Sequence, residues 1–333
     1  MLHKKECGLK KYLVTGGTGF IGSALVRRLL KSGNRVRVLD NDSRGRSTRL
    51  KDIASGVRII KGDVRKPEDV RKACKGVDVV CHLAYLNGTE FFYTKPELVL
   101  EIGVKGMINV IDACIKEGVR ELVVASSSEV YQTPPKVPTD EKVPLSIPDP
   151  MNPRYSYAGG KIISELLAIN YGRKYFDRVV IFRPHNVYGP DMGYEHVIPQ
   201  FALRMKKLCR KNAADKVLFP IQGTGKETRA FVFIDDFIDG LMLVIGKGKH
   251  LEIYNIGMAE EITIKRVARE AGEYYGKKTI VMPGKPARGG TLHRCPDISK
   301  LKMLGYSPKI SFTEGLKRTI AWYDENADIR PRQ

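Results

Sequence analysis

Between Lys11 and about Arg183 this 333-residue chain repeats one pattern, in which a short apolar run is followed by a longer amphipathic stretch. The runs are Tyr12-Leu13-Val14, Val36-Arg37-Val38-Leu39, Val57-Arg58-Ile59-Ile60, Val77-Asp78-Val79-Val80, Leu122-Val123-Val124-Ala125 and Val179-Val180-Ile181-Phe182. Strand-length runs alternating with helix-length stretches specify βα units on a parallel sheet. Ile21, Leu25, Leu29 and Leu30 recur at helical spacing, and Pro96 to Glu117 predicts a longer helix of the same kind. The expected fold is α/β: a Rossmann-type doubly wound parallel sheet of six or seven strands, with helices on both faces.

After Pro184 the composition changes. Gly-Pro breaks, a helix near Val197 to Lys211, and short strands at Ala230–Phe233 and Ile253–Ile256 predict a smaller mixed α/β lobe. The expected division is residues 1–185 as a dinucleotide-binding domain, with later contributions from about 230–258, and residues 186–333 mainly as a substrate-binding lobe. A last helix near Thr313 to Glu325 leaves a polar tail, Asn326 to Gln333, expected to fray.

Composition removes several classes of function. A hydrophobic content of 42% is too high for a disordered or fibrous protein. There is no apolar run long enough to span a bilayer, and the first residues lack the apolar segment of an export signal, so a soluble, cytoplasmic protein with no membrane partner is expected. The six cysteines are scattered, which predicts reduced thiols and no metal site, with Cys81 and Cys114 buried as small hydrophobes. The formal charge of +20 is spread from Lys4 to Arg332 without a DNA-reading motif or an aromatic-interleaved basic block. Nucleic acid is therefore not the expected partner, whereas a small anionic substrate would be attracted by such a surface.

Directly after the first run comes Thr15-Gly16-Gly17-Thr18-Gly19-Phe20-Ile21-Gly22, which opens the first helix. Glycine allows a tight turn and close backbone approach, and a helix N-terminus offers free N–H groups to a pyrophosphate. Asp40 ends the second run, where a carboxylate accepts the ribose hydroxyls of NAD and repels a 2′-phosphate; Arg44 and Arg46 nearby keep NADP open. Asp63-Val64 and His82-Leu83-Ala84 end the next two runs, on the edge where ligands bind such sheets. Asp63 reads equally as a turn residue, and His82 as a packed histidine.

Tyr157 and Lys161 stand four apart and share a helix face. A neighbouring positive charge favours a phenolate, so Lys161, with a cationic nicotinamide ring, is expected to bring Tyr157 toward the range of a base for an alcohol. The hydroxyl-rich Ser126-Ser127-Ser128-Glu129-Val130-Tyr131 ends the fifth run and is expected to meet Tyr157.

In this order the residues resemble the extended short-chain dehydrogenases/reductases, in the NAD-dependent nucleotide-sugar epimerase and dehydratase branch, over Lys11 to about Tyr323. Further matching elements are Arg183-Pro184-His185-Asn186-Val187-Tyr188-Gly189-Pro190, Val232-Phe233-Ile234-Asp235-Asp236 and Arg294-Cys295-Pro296-Asp297-Ile298-Ser299-Lys300. The resemblance implies NAD contacts from Gly16, Gly19, Phe20, Ile21, Gly22, Asp40, Asp63, Val64, Leu83, Ala84, Tyr157 and Lys161. It implies Ser127 as the hydroxyl that orients the sugar O4, Tyr157 as base, Lys161 as its activator, and a 4-keto intermediate on a nucleotide-diphosphate sugar. Ser128 and Asn186 would face the substrate, Asn186 at the diphosphate, with Arg229 and Arg288 or Arg294 at the nucleotide end. It also implies a homodimer through two helices, here Pro96–Glu117 and Asn152–Tyr175, which carry the extra apolar residues Ile108, Ile111, Leu166 and Ile169.

Three positions depart from the pattern. Gly103 stands where an asparagine is usual, Tyr85 where a small residue is usual, and Thr291 where many members have aspartate. At Ser128-Glu129, dehydratases of the branch often carry an Asp-Glu pair, and a single Glu after Ser or Thr also occurs in decarboxylases. The leading expectation is a 4-epimerase like UDP-glucose 4-epimerase, since nothing completes the carboxylate pair. A 4,6-dehydratase or decarboxylase that uses Glu129 is the alternative, and a catalytically silent NAD-binding sensor the alternative of another class.

Overall fold

The computed structural model describes residues 9–211, 214–285 and 291–326. The chain divides into two compact units: Met1–Val130, Ile147–Phe182 and Ile245–Ile253 form the first, and Tyr131–Ser146, Arg183–Val244 and Tyr254–Gln333 the second.

The first unit is built on a sheet of strands β1 (Lys11–Thr15), β2 (Arg35–Asp40), β3 (Val57–Lys61), β4 (Val79–His82), β5 (Glu121–Ala125), β6 (Arg178–Pro184) and β7 (Glu252–Ile256). Their spatial order is β7-β6-β5-β4-β1-β2-β3, and β1 through β6 pair in parallel. Strand order reverses direction at β1, which makes its carboxyl end the switch point of a Rossmann-type sheet. All four residues of β4 are buried, as a strand covered on both faces requires. Leu13, Val80, Leu122, Val179 and Ile181 pack with Met107, Val110 and Ile111 of helix α2 (Gly106–Glu117) in one continuous core.

Register decides which residues share the ligand edge. Thr15 lies beside Leu39 and His82, Asp40 beside Lys61, His82 beside Val124, and Ala125 beside Phe182. The residues that follow these strand ends therefore emerge together: the Gly16 turn, Asn41, Gly62-Asp63, Leu83-Ala84 and Ser126-Ser127.

The segment predicted as one helix from Pro96 to Glu117 is α-helical over Pro96–Leu100, makes a π turn over Glu101–Lys105, and resumes as α2. Of the apolar residues expected on a partner-facing surface, Ile108 is 40% and Leu166 55% exposed, whereas Ile111 is core and Ile169 packs against it. Ile111 is thus corrected from a surface to a core position: facing the sheet, it loses more water-exposed apolar area than it could at the rim.

In the second unit Lys216–Pro220 pairs in parallel with Lys278–Met282, Val187–Tyr188 with Val232–Phe233, and Thr228–Arg229 antiparallel with Ile262–Thr263. Helices Val197–Lys211, Ile264–Tyr274 and Phe312–Glu325 are its longer elements, together with most of the helix Ile234–Lys247, of which Ile245–Lys247 belong to the first unit. The expected frayed tail beyond Asn326 lies outside the described residues. No described helix is long and apolar enough to cross a membrane, and no described cluster of His, Cys, Asp or Glu has the makings of a metal site.

Candidate active site

At the switch point the Gly16 turn leads into helix α1 (Phe20–Lys31). Gly16 has φ +73°, and a Cβ there would lie 2.8 Å from the Ala84 nitrogen; a Cβ on Gly22 would stand 2.1 Å from the Gly16 carbonyl oxygen. The turn and the first helical turn are therefore stacked backbone against backbone, at a distance only glycine allows. No side-chain cap bonds the start of the helix, which leaves its first N–H groups without a side-chain partner at the N-cap.

Gly16, Gly19, Asp40, Asp63, Val64, Leu83 and Ala84 line one cleft, with Tyr85 and Ile102. Phe20, Ile21 and Gly22 form the first turn of α1 behind it. The Asp40 carboxylate accepts the N–H of Thr18 at 3.0 Å and of Asp42 at 2.9 Å. Asp63 is gathered by Arg65, whose Nη2 lies 2.7 Å from Oδ2, and this hydrogen bond holds its carboxyl below the usual range. His82 is buried with Nδ1 2.8 Å from the Thr15 hydroxyl, and burial drives its pKa down to about 3, so it is a neutral packing residue.

Tyr157 and Lys161 lie on helix α3 (Ser156–Tyr175), both buried. The Tyr157 ring stacks on Phe92 at 4.8 Å between centroids and meets Tyr85 edge-on at 5.0 Å. Its hydroxyl bonds the Ser127 side chain, which favours the phenolate, but burial outweighs this and the Glu129 charge adds to it, so the phenol is pushed above its ordinary value. Lys161 Nζ stands 5.9 Å from the Tyr157 centroid, and among the protein's own groups desolvation dominates the phenol. Lys161 itself is pushed down to about 7 by burial, against the pull of Glu165. Its Nζ donates to the Ala125 carbonyl at 2.6 Å.

Ser128 is buried, and Glu129 is partly exposed, with Oε2 4.0 Å from Arg154 Nη2. Ser127 also accepts the Glu129 N–H at 3.1 Å, which seats the carboxylate close enough to Tyr157 to raise its phenol.

The second unit brings three predicted residues around one segment. Asn186, at φ +38°, donates to the Ala230 carbonyl at 3.4 Å. Thr228 N–H bonds the Leu292 carbonyl and Ala230 N–H that of Arg294, which sets Arg229 beside Arg294. Arg294 is buried and donates to Thr291 Oγ1 at 3.2 Å. Arg288 lies outside the described residues.

A glycine turn at the switch point, an acid closing β2 and a buried Tyr-Lys pair against a serine strand end define one class of site. The model of the NAD dependent epimerase/dehydratase family matches residues 12–257. The chain belongs to this family. A UDP-N-acetyl-alpha-D-glucosaminuronate decarboxylase of Bacillus cytotoxicus is 31% identical over 328 residues, 95% of this chain and 98% of its own. Among solved structures, a dTDP-glucose 4,6-dehydratase of Streptomyces venezuelae with NAD and TYD bound aligns with TM-score 0.84 at 30% identity, covering 96% of this chain and 98% of that one. A UDP-glucose 4-epimerase of Thermotoga maritima with UDP-glucose aligns with TM-score 0.83 at 27% identity, covering 95% and 99%.

As a member of the epimerase/dehydratase family the chain is an NAD-dependent enzyme of nucleotide-sugar chemistry. The residues present fit that cofactor, since the side-chain-free cradle at Gly16 and Gly22, the uncapped start of α1 and the acid at Asp40 share one edge.

Several residues of the site escaped the sequence. Glu165 is buried and accepts from the Ser126 hydroxyl. Its signal was available, because it continues the four-residue spacing of Tyr157 and Lys161 along α3. Phe92 and Arg154 carried no such signal, since neither falls in a motif.

Proposed function

We propose that the enzyme oxidises C4 of a nucleotide-diphosphate hexuronate to the ketone and that the sugar then loses its carboxylate as carbon dioxide. The observation that carries this is the Glu129 carboxylate, close enough to Tyr157 to raise its phenol, with Ser128 rather than a second acid before it in the chain.

A 4-ketone stands β to a C6 carboxylate, so the C5–C6 bond breaks with its electron pair drawn into the C4 carbonyl. One proton must then reach C5, and one carboxyl group suffices to handle it. Elimination of water needs two groups, one to take the C5 proton and another to protonate the leaving oxygen, and Ser128 occupies the place of the second. NAD, when bound, accepts a hydride from C4 and returns it.

Ser127 orients the O4 hydroxyl, Tyr157 takes its proton and later gives it back, and Lys161 stabilises the charge on that phenol. Arg154, 4.0 Å from Glu129, carries a guanidinium suited to a sugar carboxylate. Asn186, Arg229 and Arg294 bind the diphosphate and nucleotide end, where a guanidinium fork meets phosphate. The relative from Bacillus cytotoxicus supports decarboxylation. The second reading, 4-epimerisation, is favoured by Ser128 itself and by the likeness to the Thermotoga maritima epimerase.

In this reading the enzyme is cytoplasmic, in keeping with free described cysteines, and forms a homodimer through the apolar surface of Ile108, Ile163 and Leu166. The test is incubation with NAD and a panel of nucleotide hexoses and hexuronates, followed by mass and proton NMR. Loss of carbon dioxide from a hexuronate, abolished by Glu129→Gln, is the expected result. Unchanged mass with an inverted C4 proton establishes the epimerase, loss of water the dehydratase, and no change across the panel an NAD-binding sensor.

A further inference from the structure

The Tyr85 ring occupies a slot that two glycines leave open. A Cβ on Gly103 would lie 2.1 Å from the Tyr85 hydroxyl oxygen and 2.4 Å from its Cζ, and a Cβ on Gly160 would lie 2.1 Å from the same oxygen. Gly103 is in the π turn and Gly160 directly precedes Lys161 on α3. The hydroxyl of Ser164 donates to the Gly160 carbonyl at 2.8 Å and reaches that of Gly103 at 3.4 Å, fastening the two walls together. With the hydroxyl buried in this slot and no hydrogen-bond partner among the described residues, the ring is held by the shape of the slot and by its ring contacts. Its face lies under the Lys161 ammonium, 3.9 Å from Nζ to the centroid, and its edge meets Tyr157.

We propose that Tyr85 is a positioning residue for the reacting pair, its ring forming the floor that holds the Lys161 ammonium, and that Gly103 and Gly160 exist as glycines to admit it. The two departures from the family pattern, a large residue at 85 and none at 103, are then one adaptation. The proposal rests on Tyr157 and Lys161 being the reacting pair, but its geometry and test do not.

A buried ammonium has lost its water. Among the described residues, the Ala125 carbonyl at 2.6 Å, the Glu165 carboxylate and the electron-rich Tyr85 ring face restore charge stabilisation. The titratable groups around Lys161 are Tyr85, Tyr157, His82 and Glu165. Of these the Tyr85 ring touches the ammonium without hydrogen bonding, so removing the ring removes one support and leaves the others in place.

The test is the titration of Lys161 in the full-length chain, followed by ¹³C NMR at Cε and assigned by its loss in Lys161→Arg. It needs no substrate, so failure of the proposed reaction would leave it unaffected. Tyr85→Phe keeps the ring face and should leave the titration in place. Tyr85→Leu should move it down by about one pH unit, the scale of a desolvated cation–ring contact. An unmoved titration in Tyr85→Leu, or an equal displacement in Tyr85→Phe, overturns the proposal. If Tyr85→Leu does not fold, Gly103→Ala displaces the ring without removing it and should shift the titration the same way. The slot is checked separately by thermal melts: Gly103→Ala should lower Tm in the native background and much less in Tyr85→Ala. Additive losses would show that no slot couples the two positions.

Discussion

Lys161 donates from Nζ to the carbonyl oxygen of Ala125 at 2.6 Å. The bond ties α3 to the end of β5, so the ammonium is held by the strand that leads to the Ser127 hydroxyl. On the other side the Tyr157 ring is packed between Phe92 and Tyr85.

Tyr157→Phe removes the hydroxyl and keeps the ring in this clamp. Turnover should fall by about 100- to 10,000-fold, the usual worth of a positioned acid–base group. Sugar-nucleotide binding by calorimetry and Tm should change little. Turnover within a few fold of wild type would remove Tyr157 from the chemistry.

Asp40→Ser should erase the preference for NAD over NADP. The carboxylate lines the cleft and accepts the Thr18 and Asp42 N–H groups with one oxygen each, which fixes its position where an acid would meet the cofactor's ribose. The ratio of the two dissociation constants is the measurement, and an unchanged ratio would assign discrimination to Arg44 and Arg46 instead.

His82 makes folding sensitive to acid. Its folded pKa, about 3, lies below the ordinary 6.5, so between these values the unfolded chain binds the proton and the folded chain does not. Stability is therefore lost as pH falls from about 6.5 toward 3. His82→Gln should flatten the slope of unfolding free energy against pH in that window, whatever it does to stability at pH 7. His185, pushed down to about 3 by burial, contributes in the same direction, so the slope should shrink without vanishing.

Asn255 holds the second unit's polar core. It accepts from the Tyr131 hydroxyl at 2.8 Å, lies 3.1 Å from His185 Nε2 and donates to the Thr139 carbonyl at 3.0 Å, while Arg183 reaches the same Tyr131 hydroxyl at 2.7 Å. Asn255→Ala strands several buried groups at about 1–3 kcal/mol each. A loss of about 2–5 kcal/mol in urea unfolding is expected, and a loss under 1 kcal/mol would mean that water replaces the amide.

Local patterns accounted for what was legible before any coordinates. An apolar run of four residues, a glycine turn and an amphipathic helix are each written within about 30 residues, so the βα order and the placing of Gly16, Asp40, Tyr157 and Lys161 on one edge follow from the chain itself. The motif Arg183–Pro190 was legible as a match, but its work was not: Arg183 serves the buried network around Asn255, and Tyr188 donates to the Phe312 carbonyl at 3.1 Å. Asp236 likewise accepts the N–H groups of Lys309 and Ile310. These bonds join positions more than 50 apart, and no periodicity encodes them.

The sequence by itself thus determined the order of elements, the parallel sheet and the family of chemistry, because these depend on periods of two and of 3.6 residues and on short-range turn geometry. Only the tertiary structure decided the state of the groups within the site. The rise at Tyr157, the fall at Lys161 and the seat of Tyr85 come from burial and from neighbours contributed by separate elements, and desolvation is a property of what surrounds a group in space rather than of what adjoins it along the chain.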